Sequence, residues 1–168
     1  MIKIIQIILT LIFLPLSSIF AGPGENIGKV GDIKNIQKII RVDMYDNYFN
    51  PKKYRIKAGQ TIKFVVENKG DFVHEFNIGT HDQHVKHQPE MAEMTKMGIL
   101  LPEAIDMKKM KEMAKMNPKM NHSHGNSVLL APGEKGELIW EFGDNPDILI
   151  ACNVPGHYEE MKNKVEIR

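Results

Sequence analysis

The chain has 168 residues, with 22 basic and 21 acidic side chains, seven histidines and a single cysteine. This balance lacks the basic excess of nucleic-acid-binding proteins, and one cysteine excludes an internal disulfide. The length suits one domain better than two.

The first 21 residues have the pattern of a signal peptide. Lys3 is the only charged residue among the first 24, and an apolar stretch leads to a small residue, Ala21, that suits cleavage. We therefore expect segment 1–21 to be removed on export to the periplasm, which leaves 147 residues and no stable membrane insertion. A retained anchor is the alternative, because segment 4–20 has 17 residues, the lower limit for a membrane span.

After a predicted linker at 22–35, short apolar runs alternate with turns rich in Gly, Pro, Asn and Asp. This pattern is typical of an all-β sandwich. We predict about eight strands in a Greek-key β-sandwich that spans 36–168 and is interrupted by an insert at 79–127. The predicted strands are 36–43, 53–57, 61–67, 72–78, 128–131, 136–142, 147–152 and 164–168.

The insert at 79–127 is distinguished by its histidines and methionines. It holds five of the seven histidines and eight of the eleven methionines, and the alternating strand pattern stops there. We predict that the insert is partly helical. Because its composition lacks the usual core residues, we also expect the sandwich to fold without it.

The loop after the predicted strand 147–152 carries Cys152, His157 and Met161. Side-chain alternation turns Cys152 toward the core, and it does the same for His74 in the strand 72–78. One thiolate, two imidazoles and a weak thioether form the ligand set of mononuclear electron-transfer copper sites. The pattern predicts one such copper site. The alternatives are that Cys152 is a small core residue and that Met161 only packs.

Residues 36–78 and 128–168 resemble the cupredoxin family. The resemblance implies that His74, Cys152 and His157 are equatorial copper ligands and that Met161 is the axial ligand. It is carried by Asp46-Asn47-Tyr48-Phe49, the turn Ala58-Gly59-Gln60-Thr61, His74-Glu75-Phe76 and the loop 152–161.

The spacing Cys-x4-His-x3-Met is similar to that of azurin, but two features argue against azurin itself. The chain has no disulfide pair, and Val73 stands where azurins have a glycine. The Pro-Gly-His-Tyr-Glu loop and the Met/His-rich insert are more similar to the periplasmic copper-resistance cupredoxins of the CopI type.

The insert is a candidate for secondary copper sites, because thioethers bind Cu(I) and imidazoles bind Cu(II) or Cu(I). The alternative is a methionine-lined helix packed on the sandwich. Met107 to Met116 are spaced by threes and would spread over about half a helix circumference, whereas a packing face alternates threes and fours. The candidate ligands are His81, His84, His87, Met91, Met94, Met97, Met107, Met110, Met113, Met116, Met120, His122 and His124.

These features predict a monomeric copper-binding protein that acts in copper tolerance by binding, sequestering or oxidising periplasmic copper. The alternative is a diffusible electron carrier that serves a redox partner protein in a respiratory or other redox chain. No substrate-turnover site is recognised, so we do not expect an enzyme. A multicopper oxidase is disfavoured, because Asn153 follows the cysteine and His122-Ser-His124 is the only His-x-His pair.

Overall fold

A computed structural model of the chain describes residues 26–116 and 124–168, so the predicted signal peptide lies outside the described residues. The strands are β1 (Gly28–Val30), β2 (Lys38–Tyr45), β3 (Tyr48–Asn50), β4 (Tyr54–Ile56), β5 (Thr61–Asn68), β6 (His74–Thr80), β7 (Ser127–Leu130), β8 (Lys135–Phe142), β9 (Ile148–Ala151) and β10 (Lys162–Ile167). They form two five-stranded sheets, in the orders β1-β8-β5-β2-β3 and β4-β10-β9-β6-β7.

Two helices, α1 (His81–Lys96) and α2 (Met107–Met116), lie between β6 and β7. A capping box starts α1: the Thr80 side chain accepts from the Gln83 amide, and the Gln83 side chain accepts from the Thr80 amide. These elements confirm the predicted β-sandwich with a partly helical insertion. Among the described residues, no helix is both long and apolar enough to span a membrane.

The described residues form two strands more than the sequence predicts. β1 lies inside the predicted linker at 22–35, and it pairs with β8. β3 pairs with β2 at the edge of the same sheet. Both strands have only three residues, and neither shows the alternating apolar pattern that identifies longer strands.

The core between the sheets is rich in aromatic side chains, among them Phe49, Phe64 and Phe76. The Phe49 and Phe76 rings meet edge to face, with their centroids 5.9 Å apart. The same hydrophobic cluster includes Met91 and Met94 of α1, which are fully buried. The insert therefore contributes to the core, and the expectation that the sandwich folds without it stays a prediction.

The strand β6 is buried on both of its faces. Phe76 faces the aromatic core, while the alternate residues Glu75 and Asn77 are buried on the opposite face. There His87 of α1 contacts Glu75. This covered strand carries the first predicted metal ligand, His74, at its start.

Candidate metal centre

His74, Cys152 and His157 converge at one end of the sandwich. His74 begins β6, and Cys152 directly follows β9, which pairs antiparallel with β6. His74 Nδ1 lies 3.2 Å from His157 Nδ1, and Cys152 Sγ lies 3.6 Å from the same His157 atom. Cys152 Sγ lies 3.9 Å from His74 Nδ1. The structure thus brings together the three predicted equatorial ligands.

The loop between β9 and β10 closes on itself through its backbone. The Cys152 amide donates to the Met161 carbonyl at 3.0 Å, and the Met161 amide donates to the His157 carbonyl at 2.9 Å. Gly156 has a φ of +90°, a left-handed conformation that favours glycine. Met161 is fully buried beside this site. Its role as an axial ligand stays a prediction.

Asp46 orients His74 from behind. Its Oδ1 lies 3.0 Å from His74 Nε2 and also accepts from the amides of Asp71 and Phe72. Because a carboxylate accepts a hydrogen bond, Nε2 carries the proton and the Nδ1 lone pair faces Cys152 and His157. Burial alone would raise the Asp46 pKa, but these hydrogen bonds outweigh burial and hold the pKa below its ordinary value.

Gly70 makes the contact between Asp46 and His74 sterically possible. A Cβ atom at this position would overlap Asp46 Oδ1 and would stand 2.9 Å from His74 Nε2. Any larger residue must therefore displace one of these two side chains.

The electrostatics of the site suit a metal with soft and borderline ligands. Burial raises the pKa of the Cys152 thiol to about 12. The Glu75 amide donates a hydrogen bond to Sγ at 3.4 Å, which lowers this pKa but does not outweigh burial. Burial lowers the pKa of His74 against the influence of Asp46, and burial and the neighbouring His74 lower the pKa of His157. Neutral imidazoles and a thiol that a metal can deprotonate fit copper.

Two buried polar residues near Cys152, Glu75 and Asn153, have no role predicted from the sequence. The Glu75 carboxylate accepts from Asn77 Nδ2 at 3.0 Å and from Asn153 Nδ2 at 2.7 Å. Strand alternation turns Glu75 away from the core, and on that face His87 of α1 and Asn153 contact its carboxylate. The one sequence signal was the position of Asn153 directly after the cysteine.

The histidines of α1 lie near the loop between β9 and β10 or near the Glu75 carboxylate. His81 Nδ1 lies 2.9 Å from the Tyr158 hydroxyl, and buried His84 lies 3.2 Å from Asn153 Nδ2. His87 contacts Glu75, and it forms a group with Glu90 and His124. His122 lies outside the described residues.

The methionines of the insert divide by burial. Met91 and Met94 are fully buried, whereas Met107 and Met116 are 50% and 74% exposed. Met97, Met110 and Met113 are partly buried against the core, and Met120 lies outside the described residues. Packing thus accounts for Met91 and Met94, and a ligand role for any of the insert methionines stays a prediction.

No family model matches the chain. It is 37% identical over 142 residues to the copper-resistant cuproprotein CopI of Pseudomonas aeruginosa, across 81% of this chain and 78% of that protein. It is 32% identical over 143 residues to CopI of Rubrivivax gelatinosus, across 84% of this chain and 73% of that protein.

Solved structures show the same fold at low sequence identity. Auracyanin B superposes with a TM-score of 0.57 and 15% identity, across 86% of this chain and 99% of that chain. The azurin Az-iso2 of Methylomonas sp. strain J superposes with a TM-score of 0.52 and 13% identity, across 79% and 98% of the two chains. By its fold and its curated relatives, the chain belongs to the CopI family of cupredoxins.

Proposed function

We propose that the chain is an exported, monomeric copper-binding protein that acts in copper tolerance by binding, sequestering or oxidising periplasmic copper. The observation that carries this proposal is the convergence of His74, Cys152 and His157, whose ligand atoms all lie within 4.8 Å of one another. The names of the CopI relatives support copper resistance. Copper bound by such a ligand set supplies one-electron redox chemistry.

The chain prepares this site before any metal binds. Asp46 fixes the ring of His74, and the Glu75 amide hydrogen-bonds the Cys152 sulfur. The closed loop holds His157 beside both, and burial of Cys152 excludes water and protects the thiol from oxidation. A preformed ligand set changes little between oxidation states, which suits a protein that takes up copper of either charge.

One observation favours the alternative of a diffusible electron carrier. An open cavity of about 260 Å³ adjoins His157 and is lined mainly by apolar residues, including Phe72, Leu101 and Pro102. Phe72 and Leu101 are 41% and 46% exposed. An apolar surface beside a ligand imidazole is one that a transient redox partner could contact.

Gene deletion separates the two functions. Under copper tolerance, the deletion strain grows poorly in elevated copper and respires normally at ordinary copper. The wild-type gene restores growth, and the Cys152→Ser variant does not. A strain that fails in respiration at ordinary copper and shows no copper sensitivity would require the electron-carrier function instead.

The variant Leu101→Ser sharpens this comparison. It removes an exposed apolar side chain from the cavity without touching a predicted ligand. A tolerance protein that acts by binding copper should keep its function in this variant. A carrier that docks through the cavity should lose partner turnover while its copper spectrum stays unchanged.

A further inference from the structure

A second group of metal-ligating side chains lies between the insert and the sandwich. His87 and Glu90 stand one turn apart on α1, and His124 approaches from the segment before β7. His87 Nδ1 lies 3.2 Å from Glu90 Oε2, and His124 Nε2 lies 3.5 Å from Glu90 Oε1. The three ligand atoms lie within 4.8 Å of one another, close enough to surround a single ion.

Glu75 holds His87 in the orientation that a ligand needs. His87 Nε2 lies 3.1 Å from the Glu75 carboxylate, whose side chain is fully buried. With its proton on Nε2, neutral His87 turns the lone pair of Nδ1 toward Glu90 and His124. A carboxylate behind a histidine is the common arrangement at metal sites, because it fixes the ring and increases its basicity.

Several contacts set the positions of these residues independently of any metal. Asn77 and Asn153 donate to the Glu75 carboxylate and hold it in place. Asn126, two residues after His124, donates to the Asn77 side chain and to the Ile78 carbonyl. The segment that carries His124 is therefore fastened to β6, the strand that carries Glu75.

The group lies near the surface, but its ligand atoms are covered. The side chains of His87, Glu90 and His124 are 12%, 24% and 37% exposed, whereas the atoms Glu90 Oε1 and His124 Nε2 are buried. Two imidazoles and one carboxylate select divalent first-row ions such as Cu(II) and Zn(II), and Cu(II) binds most tightly in that series. Cu(I) prefers sulfur ligands, which this group does not use.

We propose that His87, Glu90 and His124 form a second metal site for a divalent transition-metal ion, with Glu75 as its positioning residue. The site is separate from the thiolate centre, which is the group of His74, Cys152 and His157, and it uses none of the insert methionines. Its chemistry suits an ion in the cupric state. Glu75 joins the two sites, because its carboxylate contacts His87 and its amide donates to Cys152.

The test is a titration of the full chain with Cu(II), followed by visible absorption and electron paramagnetic resonance. We expect one ion at the thiolate centre and a further ion whose resonance shows nitrogen and oxygen ligands. Glu90→Gln and His124→Ala should lower the affinity for that further ion by about tenfold or more. Both variants should keep the visible absorption band of Cys152 bound to Cu(II). Zn(II) calorimetry should show the same loss.

Matched controls lie on the same helix. Glu93 is an exposed carboxylate three residues after Glu90, and His81 is a histidine outside the group. Glu93→Gln and His81→Ala should bind the further ion as the wild type does. Glu75→Gln should lower the affinity for the further ion by about tenfold. The thiolate band should persist, because the backbone amide of residue 75 still donates its hydrogen bond to the Cys152 sulfur.

Two results would overturn this site. One is that Glu90→Gln and His124→Ala bind the further ion as tightly as the wild type. The other is that the wild type binds no further ion. A wild type that binds the nitrogen and oxygen ligated ion but shows no thiolate band would support this site and contradict the copper centre.

Discussion

Residues behind the three converging side chains control the properties expected of the copper centre. Asp46 contacts the far nitrogen of His74 and carries a negative charge next to the site. Glu75 reaches the Cys152 sulfur through its amide. These contacts set the ring orientation of one ligand and the hydrogen bonding of another, and both affect metal affinity and reduction potential.

Replacement of Asp46 by Asn should raise the reduction potential of the copper-loaded protein. The anion favours the more highly charged oxidised metal, and the neutral amide does not. Copper affinity should fall by about tenfold or more, because the His74 ring loses its charged partner. Potentiometric titration measures the first effect and competition with a chelator the second.

The matched control is Asp43→Asn, in the strand β2 that directly precedes the turn with Asp46. Asp43 pairs with Lys69, away from the metal ligands. An unchanged potential in Asp46→Asn, or an equal shift in both variants, would contradict the role of Asp46.

Copper binding should release one proton at pH 7 to 8. The metal-free Cys152 thiol has a pKa raised by burial to about 12, so it is protonated in this range and must ionise to bind copper. Burial lowers the pKa of His74 and of His157 from the ordinary histidine value, so both imidazoles are already neutral in this range. Calorimetry in buffers of different ionisation enthalpy counts the protons, and a count of zero would mean that the thiolate exists before the metal arrives.

At the level of secondary structure, α1 is a packing element as well as a source of candidate ligands. His84, His87, Met91 and Met94 are spaced by three, four and three residues, which is the spacing of a buried helical face. The methionines from Met107 to Met116 are instead spaced uniformly by threes, which is not the spacing of a packing face. There the structure leaves Met107 and Met116 exposed and partly buries Met110 and Met113.

Truncation of a buried methionine should destabilise the whole domain. Met91→Ala removes a fully buried side chain and should lower the free energy of unfolding by about 2 to 5 kcal/mol. Met107→Ala, at a half-exposed position on α2, should change it by less than about 0.5 kcal/mol. Urea denaturation of the metal-free protein measures both, and equal effects would contradict the packing role of α1.

For the whole molecule, strand alternation and loop spacing were sufficient to predict the sandwich and the residues that converge. They placed His74 and Cys152 on inward faces and His157 in the loop that closes over them. They did not predict Asp46 behind His74 or the burial of Glu75, because those contacts join residues far apart in the chain. The buried Glu75 contacts His87 of α1, a helix whose packing face is partly histidine, and hydrophobicity alone does not identify such a face.

The metal-free protein should lose stability as the pH falls from 7 to 5. Burial lowers the pKa values of His74, His84 and His157 below the ordinary value of 6.5, so the unfolded chain takes up protons first. The contribution of these histidines to the free energy of unfolding is complete above about pH 6.5. As the pH decreases below that value, it falls by at most about 1.4 kcal/mol per pH unit for each histidine. Urea midpoints across this range measure the slope.

A variant with one fewer buried histidine provides the comparison. His84→Gln should show a shallower loss of stability with acid than the wild type, because one titrating group is absent. Stability that is constant or that increases from pH 7 to pH 5 would show that the folded histidines are as easily protonated as the unfolded ones.

The most direct test of the copper centre is the visible and electron paramagnetic resonance spectrum of the Cu(II)-loaded protein, compared with that of Cys152→Ser. A thiolate bound to Cu(II) gives a charge-transfer band in the visible range. We expect this band in the wild type and its complete loss in Cys152→Ser, with the circular dichroism of the sandwich retained. A wild type without the band, or a Cys152→Ser variant that keeps it, would contradict the assignment of His74, Cys152 and His157 as a copper site.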